Sequence, residues 1–192
     1  MSEKRTGGQV DLLHGPIFKN LMIFMVPIFF SNAFQQLYNA VDTALVGNIL
    51  GENSLAAIGA TASIFELLVG FSVNIGSGFS IVIARAYGSN DKEKMKKAIA
   101  GSIVVGLITI VLFTAAAYFG LGPLLHLINT PAEIFDEALQ YIRIIGLGII
   151  IMFAYNLMSA ILRAVGNSVM PLIFLIISSI LNIFLDYAFM AW

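Results

Sequence analysis

The chain has no cysteine, and charged residues make up only 11% of it. The absence of cysteine excludes disulfides, thiolate metal sites and a cysteine nucleophile. The scarcity of charge stands beside 59% hydrophobic residues and a mean hydropathy of +0.92. Soluble domains carry roughly 25% charged residues. The composition therefore predicts an integral membrane protein.

An excess of either charge is also lacking, since ten Lys and Arg oppose eleven Asp and Glu. With no basic block, the sequence gives no reason to expect a nucleic-acid partner. The two histidines, His14 and His126, lie at the ends of apolar runs and form no metal-ligand cluster. We therefore predict no catalytic residues, no cofactor and no enzymatic activity.

Long apolar runs dominate the chain instead. A hydrocarbon core of about 30 Å needs about 20 helical residues, and five runs are long enough. They cover approximately residues 17–50, 55–87, 98–121, 138–165 and 169–192. The sequence thus predicts an all-α integral membrane bundle of about five transmembrane helices. Because the last run reaches residue 192 without a polar tail, we also expect a truncated fragment of a longer protein.

The placement of Lys and Arg predicts the orientation, because cationic loops tend to stay cytoplasmic. Nine of the ten cations fall on one side of the predicted bundle, and Arg143 falls on the other. Residues 1–16 are polar and lack the apolar core of a signal peptide. We therefore expect a retained cytosolic tail, a cytoplasmic N-terminus and a multi-pass protein of the cell membrane. A short amphipathic surface helix is expected over residues 131–140.

Polar residues inside the apolar runs are the most informative feature, since each intramembrane charge costs about 2.5–3.5 kcal/mol by insertion scales. The first run carries four of them at helical spacing i, i+3, i+4 and i+7: Gln35, Tyr38, Asn39 and Asp42. Such spacing places them on one helix face. In the fifth run, Asn182 and Asp186 are spaced i, i+4.

Asp42 and Asp186 would form a site for a proton or a cation if the two carboxyl groups meet in the folded bundle. Two neighbouring carboxylates in a low dielectric repel each other unless they share a proton or bind a cation. The oxygen-rich set of Asp42, Asn182 and Asp186 is therefore our candidate site for H⁺ or Na⁺. As an alternative, either acid alone lies near the headgroups and is satisfied by water.

Further residues are candidates for a substrate cavity. Glu66 lies inside the second run without an evident cationic partner, and Tyr155 and Asn156 either contact substrate or pack helices together. The full set of cavity candidates is Gln35, Tyr38, Asn39, Glu66, Tyr155 and Asn156. Pro27 removes one helical hydrogen bond, so we expect a bend there that acts as a hinge or as a static kink.

Four segments together resemble the multidrug and toxic compound extrusion (MATE) transporters. The first is the P-x14-D spacing from Pro27 to Asp42, where Asp42 lies in QQLYNAVDTALVG. The others are the loop IARAYGSNDKEK, the segment LRAVGNSVMP, and the N-x3-D pair at Asn182 and Asp186. They occur in the family's order and cover nearly the whole chain.

The resemblance implies an antiporter of twelve helices in two six-helix lobes that exports organic cations, drugs or other amphipathic compounds in exchange for H⁺ or Na⁺. Residues 1–192 would then be the N-terminal part, most of one lobe. Its partners would be a small-molecule substrate, the lipid bilayer and the remaining C-terminal helices. By the resemblance, Asp42, Asn182 and Asp186 match the ion site of this lobe, and Pro27 matches the bending proline.

Three other functions compete with this interpretation. A lipid-linked sugar flippase of related fold would need a more cationic cavity than these runs provide. An inactive truncated fragment would carry the site without transport. A membrane aspartyl protease would use Asp42 and Asp186, but these acids lack the YD and GxGD motifs of such enzymes.

Overall fold

A computed structural model describes residues 9–13, 15–49 and 52–190 of the chain. It contains five helices: α1 Ile17–Ile49, α2 Glu52–Gly88, α3 Lys92–Leu127, α4 Ala132–Ala164 and α5 Val169–Met190. All five are long and apolar enough to cross a membrane. The predicted all-α bundle of five transmembrane helices is confirmed. The predicted ends at residues 50 and 192 lie outside the described residues.

Two helices begin six residues before their predicted apolar runs. The third run, 98–121, extends to Lys92–Leu127, and α4 begins at Ala132 rather than at residue 138. The short surface helix expected over residues 131–140 is therefore wrong, because this segment is the first part of α4. Pro131 stands at the N-cap of α4, and no helix-breaking residue separates Ala132 from the buried Ala138.

Asp91 explains the early start of α3. Its Oδ1 accepts a hydrogen bond from the backbone N–H of Lys94 at 3.0 Å, and its Oδ2 lies 3.2 Å from the Lys94 ammonium. A carboxylate at this position satisfies a backbone donor that has no partner within the helix. The backbone N–H of Lys94 holds the pKa of Asp91 below its usual value, and the Lys94 side chain adds to this effect.

The hydrophobic core lies between α2, α3 and α4, which we call the helix block. The buried side chains of α3 and α4 recur every three or four residues, as one helix face requires. The core cluster consists of Ala57, Ile64, Leu68, Ile110, Leu121, Leu125, Ala138, Ile142, Ile149, Phe153 and Leu157. None of these residues belongs to α1 or α5.

Small residues bring the three helices of the block close together. A Cβ atom at Gly106 of α3 would lie 2.6 Å from Cζ of Phe153 in α4 and 3.2 Å from the Phe79 ring in α2. A Cβ atom at Gly76 of α2 would lie 3.5 Å from the backbone of Asn156 in α4. In lipid, such close approach supplies the van der Waals contact that holds helices together.

α1 and α5 pack mainly on each other and form a second unit, the helix pair. Each has only a few contacts with the helix block. Val46 is the single buried residue that α1 contributes within the described part of the chain. The bundle therefore consists of a tightly packed block and a more loosely attached pair.

The helices run alternately up and down, so charge is divided between the two ends of the bundle. The end that we call the cationic face holds Lys19, Arg85, Arg163 and the lysines at the start of α3. The opposite end, the acidic face, holds Glu52, Glu133, Asp136 and Glu137. There, the Ser54 hydroxyl of α2 donates a hydrogen bond to Glu137 of α4.

Large apolar side chains cover the outer surface of the bundle. Leu112, Phe119, Ile151 and Phe189 are each at least 66% exposed. Such a surface would cost free energy in water, whereas lipid tails are as apolar as the side chains themselves. The chain is a multi-pass membrane protein.

We expect Gly106→Val to lower the free energy of unfolding by about 1–3 kcal/mol, because the added methyl groups overlap the Phe153 ring. The matched control is Gly101→Val in the same helix, where a Cβ atom meets nothing within 4 Å. Thermal unfolding in detergent micelles measures both. Equal destabilisation of the two variants would contradict the proposed close contact.

We expect Asp91→Ala to fray the first turn of α3 at neutral pH and Asp91→Asn to preserve it, since an amide oxygen also caps a helix. Hydrogen exchange of the Lys94 amide measures the difference. Because the pKa of Asp91 is lowered in the folded chain, its stabilising effect is present above the ordinary Asp pKa. The effect is lost as the pH falls through the lowered value. Equal exchange in both variants would refute the cap.

Candidate ion site between α1 and α5

The packing of α1 on α5 brings together the two intramembrane acids of these helices. The carboxyl group of Asp42 in α1 lies close enough to the carboxyl group of Asp186 in α5 for the two groups to interact electrostatically. We call these residues the acid pair. Both side chains are half-buried. Two ionised carboxylates at such close range repel each other. A shared proton or a bound cation removes this repulsion.

One carboxylate oxygen of the acid pair and one neighbouring amide oxygen are buried and have no hydrogen-bond partner among the described residues. They are Oδ2 of Asp186 and Oδ1 of Asn182. Buried acceptors of this kind require a donor or a positive charge. A proton or a small hard cation such as Na⁺ satisfies this requirement, so the oxygens of Asp42, Asn182 and Asp186 fit either ion. The described residues contain no cluster of three or more His, Cys, Asp or Glu for a tightly bound metal.

Two tyrosines surround the acid pair. Tyr38 is hydrogen-bonded to Gln35 and lies within electrostatic range of Asp42 and of Tyr155. Tyr141 of α4 also lies within electrostatic range of Asp42. Sequence reasoning missed Tyr141, although its spacing of 14 residues from Tyr155 places both tyrosines on nearly the same face of one helix.

The four polar residues of α1 that were predicted to share one helix face differ in their exposure. Tyr38 and Asp42 are half-buried, whereas Gln35 and Asn39 are exposed. Asn39 lines an open groove of about 650 Å³ with Thr43 and Asn48. Its backbone carbonyl accepts a hydrogen bond from the Thr43 hydroxyl at 2.9 Å.

Three cavity candidates lie in different environments. The Asn156 amide donates to the carbonyl of Met152 in its own helix at 2.9 Å. The Tyr155 hydroxyl lies 3.5 Å from the carbonyl oxygen of Pro171 at the start of α5. Glu66 is exposed on α2 and has no hydrogen bond or ion pair within the described ranges. The structure therefore does not bring these residues into one polar cluster.

Pro27 lies within a helix that continues on both sides of it. The Ser31 hydroxyl donates to the carbonyl of Pro27 at 2.8 Å. Proline removes a backbone donor, and a Ser bonded to the carbonyl four residues earlier often bends a helix. These two features weaken α1 at the same turn, which lies 15 residues before Asp42.

The acid pair lies toward the acidic face. Asp42 is 25 residues beyond Ile17, about 38 Å along the helix axis, and only seven residues before the end of α1. An ion therefore has a shorter path to the site from the acidic face than from the cationic face.

Acidic residues between membrane-spanning helices are typical of transporters that move ions or protons. The family model described as MatE matches residues 27–188, and the chain belongs to this family. The resemblance seen in the sequence is thereby confirmed. The named relatives are transport and resistance proteins rather than enzymes.

Three matches show the extent of the similarity. The probable multidrug resistance protein YoeA of Bacillus subtilis is 32% identical over 168 residues, which are 87% of this chain and 36% of YoeA. The multidrug export protein MepA of Staphylococcus saprophyticus is 26% identical over 88% of this chain and 38% of its own length.

A solved outward-facing structure of a multidrug resistance MATE family transporter is 30% identical, with a TM-score of 0.86. The match covers 96% of this chain and 41% of that transporter. The chain thus spans about two fifths of the length of the proteins that it matches.

Proposed function

We propose that the chain is the N-terminal part of a secondary active antiporter that exports drugs, organic cations or other amphipathic compounds in exchange for H⁺ or Na⁺. The observation that carries this proposal is the acid pair together with the buried, unpartnered oxygens of Asp186 and Asn182. The membership of the chain in the MatE family, and the word export in the name of MepA, support transport out of the cell. We propose that residues 1–192 form most of one lobe and that further helices of the same transporter complete it.

The acid pair acts as an ion-dependent contact between α1 and α5. With a proton shared between Asp42 and Asp186, or with Na⁺ held by these oxygens and Asn182, the two helices attract each other. When the ion leaves, the two carboxylates repel each other and the helices separate. A cationic substrate and the coupling ion therefore compete for the same negative charge, which makes the exchange obligatory.

Pro27 is the proposed hinge for this movement. The part of α1 beyond Pro27 carries Asp42, and the weakened turn at Pro27 and Ser31 is where α1 bends most easily. Loss of the ion would then tilt this part of α1 away from α5. Tyr38 and Gln35 move with it, which changes the shape of the cavity that the substrate contacts.

The membrane potential supplies enough free energy for useful export when one H⁺ or Na⁺ is exchanged for an uncharged amphipathic compound, because one net charge then crosses. A one-for-one exchange with a monovalent cation moves no net charge and is driven by the concentration gradient of the ion. One elementary charge that crosses 100 mV releases about 2.3 kcal/mol. At about 1.4 kcal/mol for each tenfold change in concentration, this supports about a 40-fold substrate gradient. A single acid pair is therefore sufficient for coupled export.

We propose that the N-terminus and the cationic face are cytoplasmic, because Lys and Arg concentrate there. The acid pair then lies nearer the outside of the cell, where H⁺ or Na⁺ is taken up. A lipid-linked sugar flippase is less well supported, because the described Lys and Arg side chains lie toward the helix ends, apart from Arg143, whose guanidinium lies over the Tyr118 ring of α3.

We expect Asp42→Asn in the complete transporter to abolish ion-driven substrate accumulation, because the amide can neither share a proton nor repel Asp186. The proposed substrate gradient of about 40-fold should disappear, while the transporter is expressed at the same level. Transport into vesicles with an imposed pH or Na⁺ gradient measures the substrate accumulation and identifies the coupling ion. The control is Asp136→Asn at the exposed start of α4. Undiminished accumulation with Asp42→Asn would sink the coupling role.

We expect Pro27→Ala to slow transport while the unfolding temperature stays the same or rises, because the restored backbone hydrogen bond to Ile23 stiffens α1. Turnover in vesicles and thermal unfolding measure the two effects. Pro123→Ala, inside α3 of the helix block, is the matched control. Parental turnover with Pro27→Ala would show that the bend is static.

A further inference from the structure

Residues 9–13, which we call the anchor segment, lie across the cationic face before α1 begins. The backbone N–H of Val10 donates to the carbonyl of Gly166 in the α4–α5 turn at 3.0 Å. Gln9 stands opposite Asn167 in an isolated antiparallel bridge. The segment therefore pairs through its backbone with the turn that joins the helix block to α5.

The Gln9 side chain adds contacts to two helices of the block. Its amide nitrogen lies 2.8 Å from the carbonyl oxygen of Val165 at the end of α4 and 3.2 Å from the Tyr87 hydroxyl at the end of α2. One side chain thereby joins the ends of α2 and α4 to the anchor segment. Both contacts are partly buried, which protects them from competition by water.

The segment is also fixed to the start of α1. The Asn20 amide in the first turns of α1 donates to the carbonyl of Asp11 at 2.7 Å. The carboxylate of Asp11 in turn accepts from the backbone N–H of Leu13 at 3.0 Å. Hydrogen bonds therefore run from α1 through the anchor segment to the ends of α2 and α4.

The α4–α5 turn is shaped to receive the segment. Gly166 has a φ of +85°, which side chains rarely allow, and a Cβ atom there would lie 2.6 Å from the carbonyl oxygen of Val10. Glycine is thus required both by the backbone conformation and by the approach of the segment. Asn167 stabilises the same turn, because its Oδ1 accepts from the backbone N–H of Met170 at 3.1 Å.

We infer that Gln9 and Gly166 are positioning residues for the acid pair, because they fix the start of α1 to the α4–α5 turn and so confine the movement of α1 to the part beyond Pro27. This inference rests on the proposed transport function and extends it. It assigns a role in coupling to residues at the far end of the helix from Asp42.

The reason lies in how a helix responds to a force near one end. Separation of Asp42 from Asp186 pushes on α1 near the acidic face. If the start of α1 were free, the whole helix would slide or tilt, and the push would be lost without bending at Pro27. With the start fixed by the anchor segment, the same push bends α1 at its weakest turn. Ion release is thereby converted into a defined change of the cavity.

A cysteine pair tests this role. Because the chain has no cysteine, Gln9→Cys with Asn167→Cys introduces one possible disulfide. Residues directly opposite in an antiparallel pair have Cα atoms about 4.5–5.5 Å apart, within the range of about 4.4–6.8 Å that a disulfide needs. The complete transporter is reconstituted in vesicles and assayed reduced and oxidised, beside each single-cysteine variant.

In the reduced state, we expect the double variant to lose ion-driven accumulation by about fivefold or more, because the Gln9 contacts and the hydrogen bond from Met170 to Asn167 are absent. Oxidation should restore accumulation to near the parental level, since the disulfide replaces the anchor. The single-cysteine variants should not respond to oxidation. Reduced activity equal to the parent, oxidised activity that stays low, or failure of the disulfide to form would each overturn the inference.

A merely structural role is separated from positioning by the dependence on ion concentration. Loss of the anchor should raise the H⁺ or Na⁺ concentration needed for half-maximal transport, and the disulfide should reverse this shift. A loss of folded protein would instead lower the maximal rate and leave that concentration unchanged. An unchanged ion dependence in the reduced variant would count against positioning.

Hydrogen exchange keeps the inference testable even if the proposed transport function fails. Amides in α1 before Pro27 should exchange faster in the reduced double variant than in the oxidised one, while amides in the core of α2 and α4 stay protected. This comparison needs no substrate and no ion gradient. Identical exchange in the two states would overturn the anchor even in an active transporter.

Discussion

The close contact between α2, α3 and α4 determines where every other part of the chain can go. In a bilayer, helices gain little from hiding apolar side chains, so they hold together where small residues let them approach closely. Gly106 beneath Phe153 and Gly76 against the Asn156 backbone provide such places. The result is a closely packed block that has no ionisable residue in its core cluster.

The ionisable chemistry lies instead in the helix pair, at the less densely packed part of the bundle. This division has a physical reason, because a close-packed core resists the small displacements that ion binding must cause. A loosely attached pair can respond to a change of one charge at Asp42 and Asp186. In the proposed mechanism, three features control α1 along its length: the anchor segment at its start, the weakened turn at Pro27 and the acid pair near its end.

The number and type of helices could be predicted from the apolar runs, because the thickness of the bilayer sets a minimum length. The helix ends could not, since α3 and α4 continue beyond the apolar runs where Asp91 and Pro131 start them. The candidate ion site of Asp42, Asn182 and Asp186 was inferred from helical spacing and stays a prediction. The exposure of Asn39 beside the half-buried Asp42, and the position of Tyr141 near Asp42, depend on how the helices pack. The period of a single helix does not specify that packing.

The helices of the block are also longer than the bilayer is thick. With 37 residues, α2 is about 55 Å long, against a hydrocarbon core of about 30 Å. We therefore expect the turn at residues 89–91 to stand outside the hydrocarbon core, at the tip of the hairpin that α2 and α3 form in the helix block. A fiducial protein fused at this turn would give imaging a fixed frame of reference, against which the displacement of α1 could be measured directly.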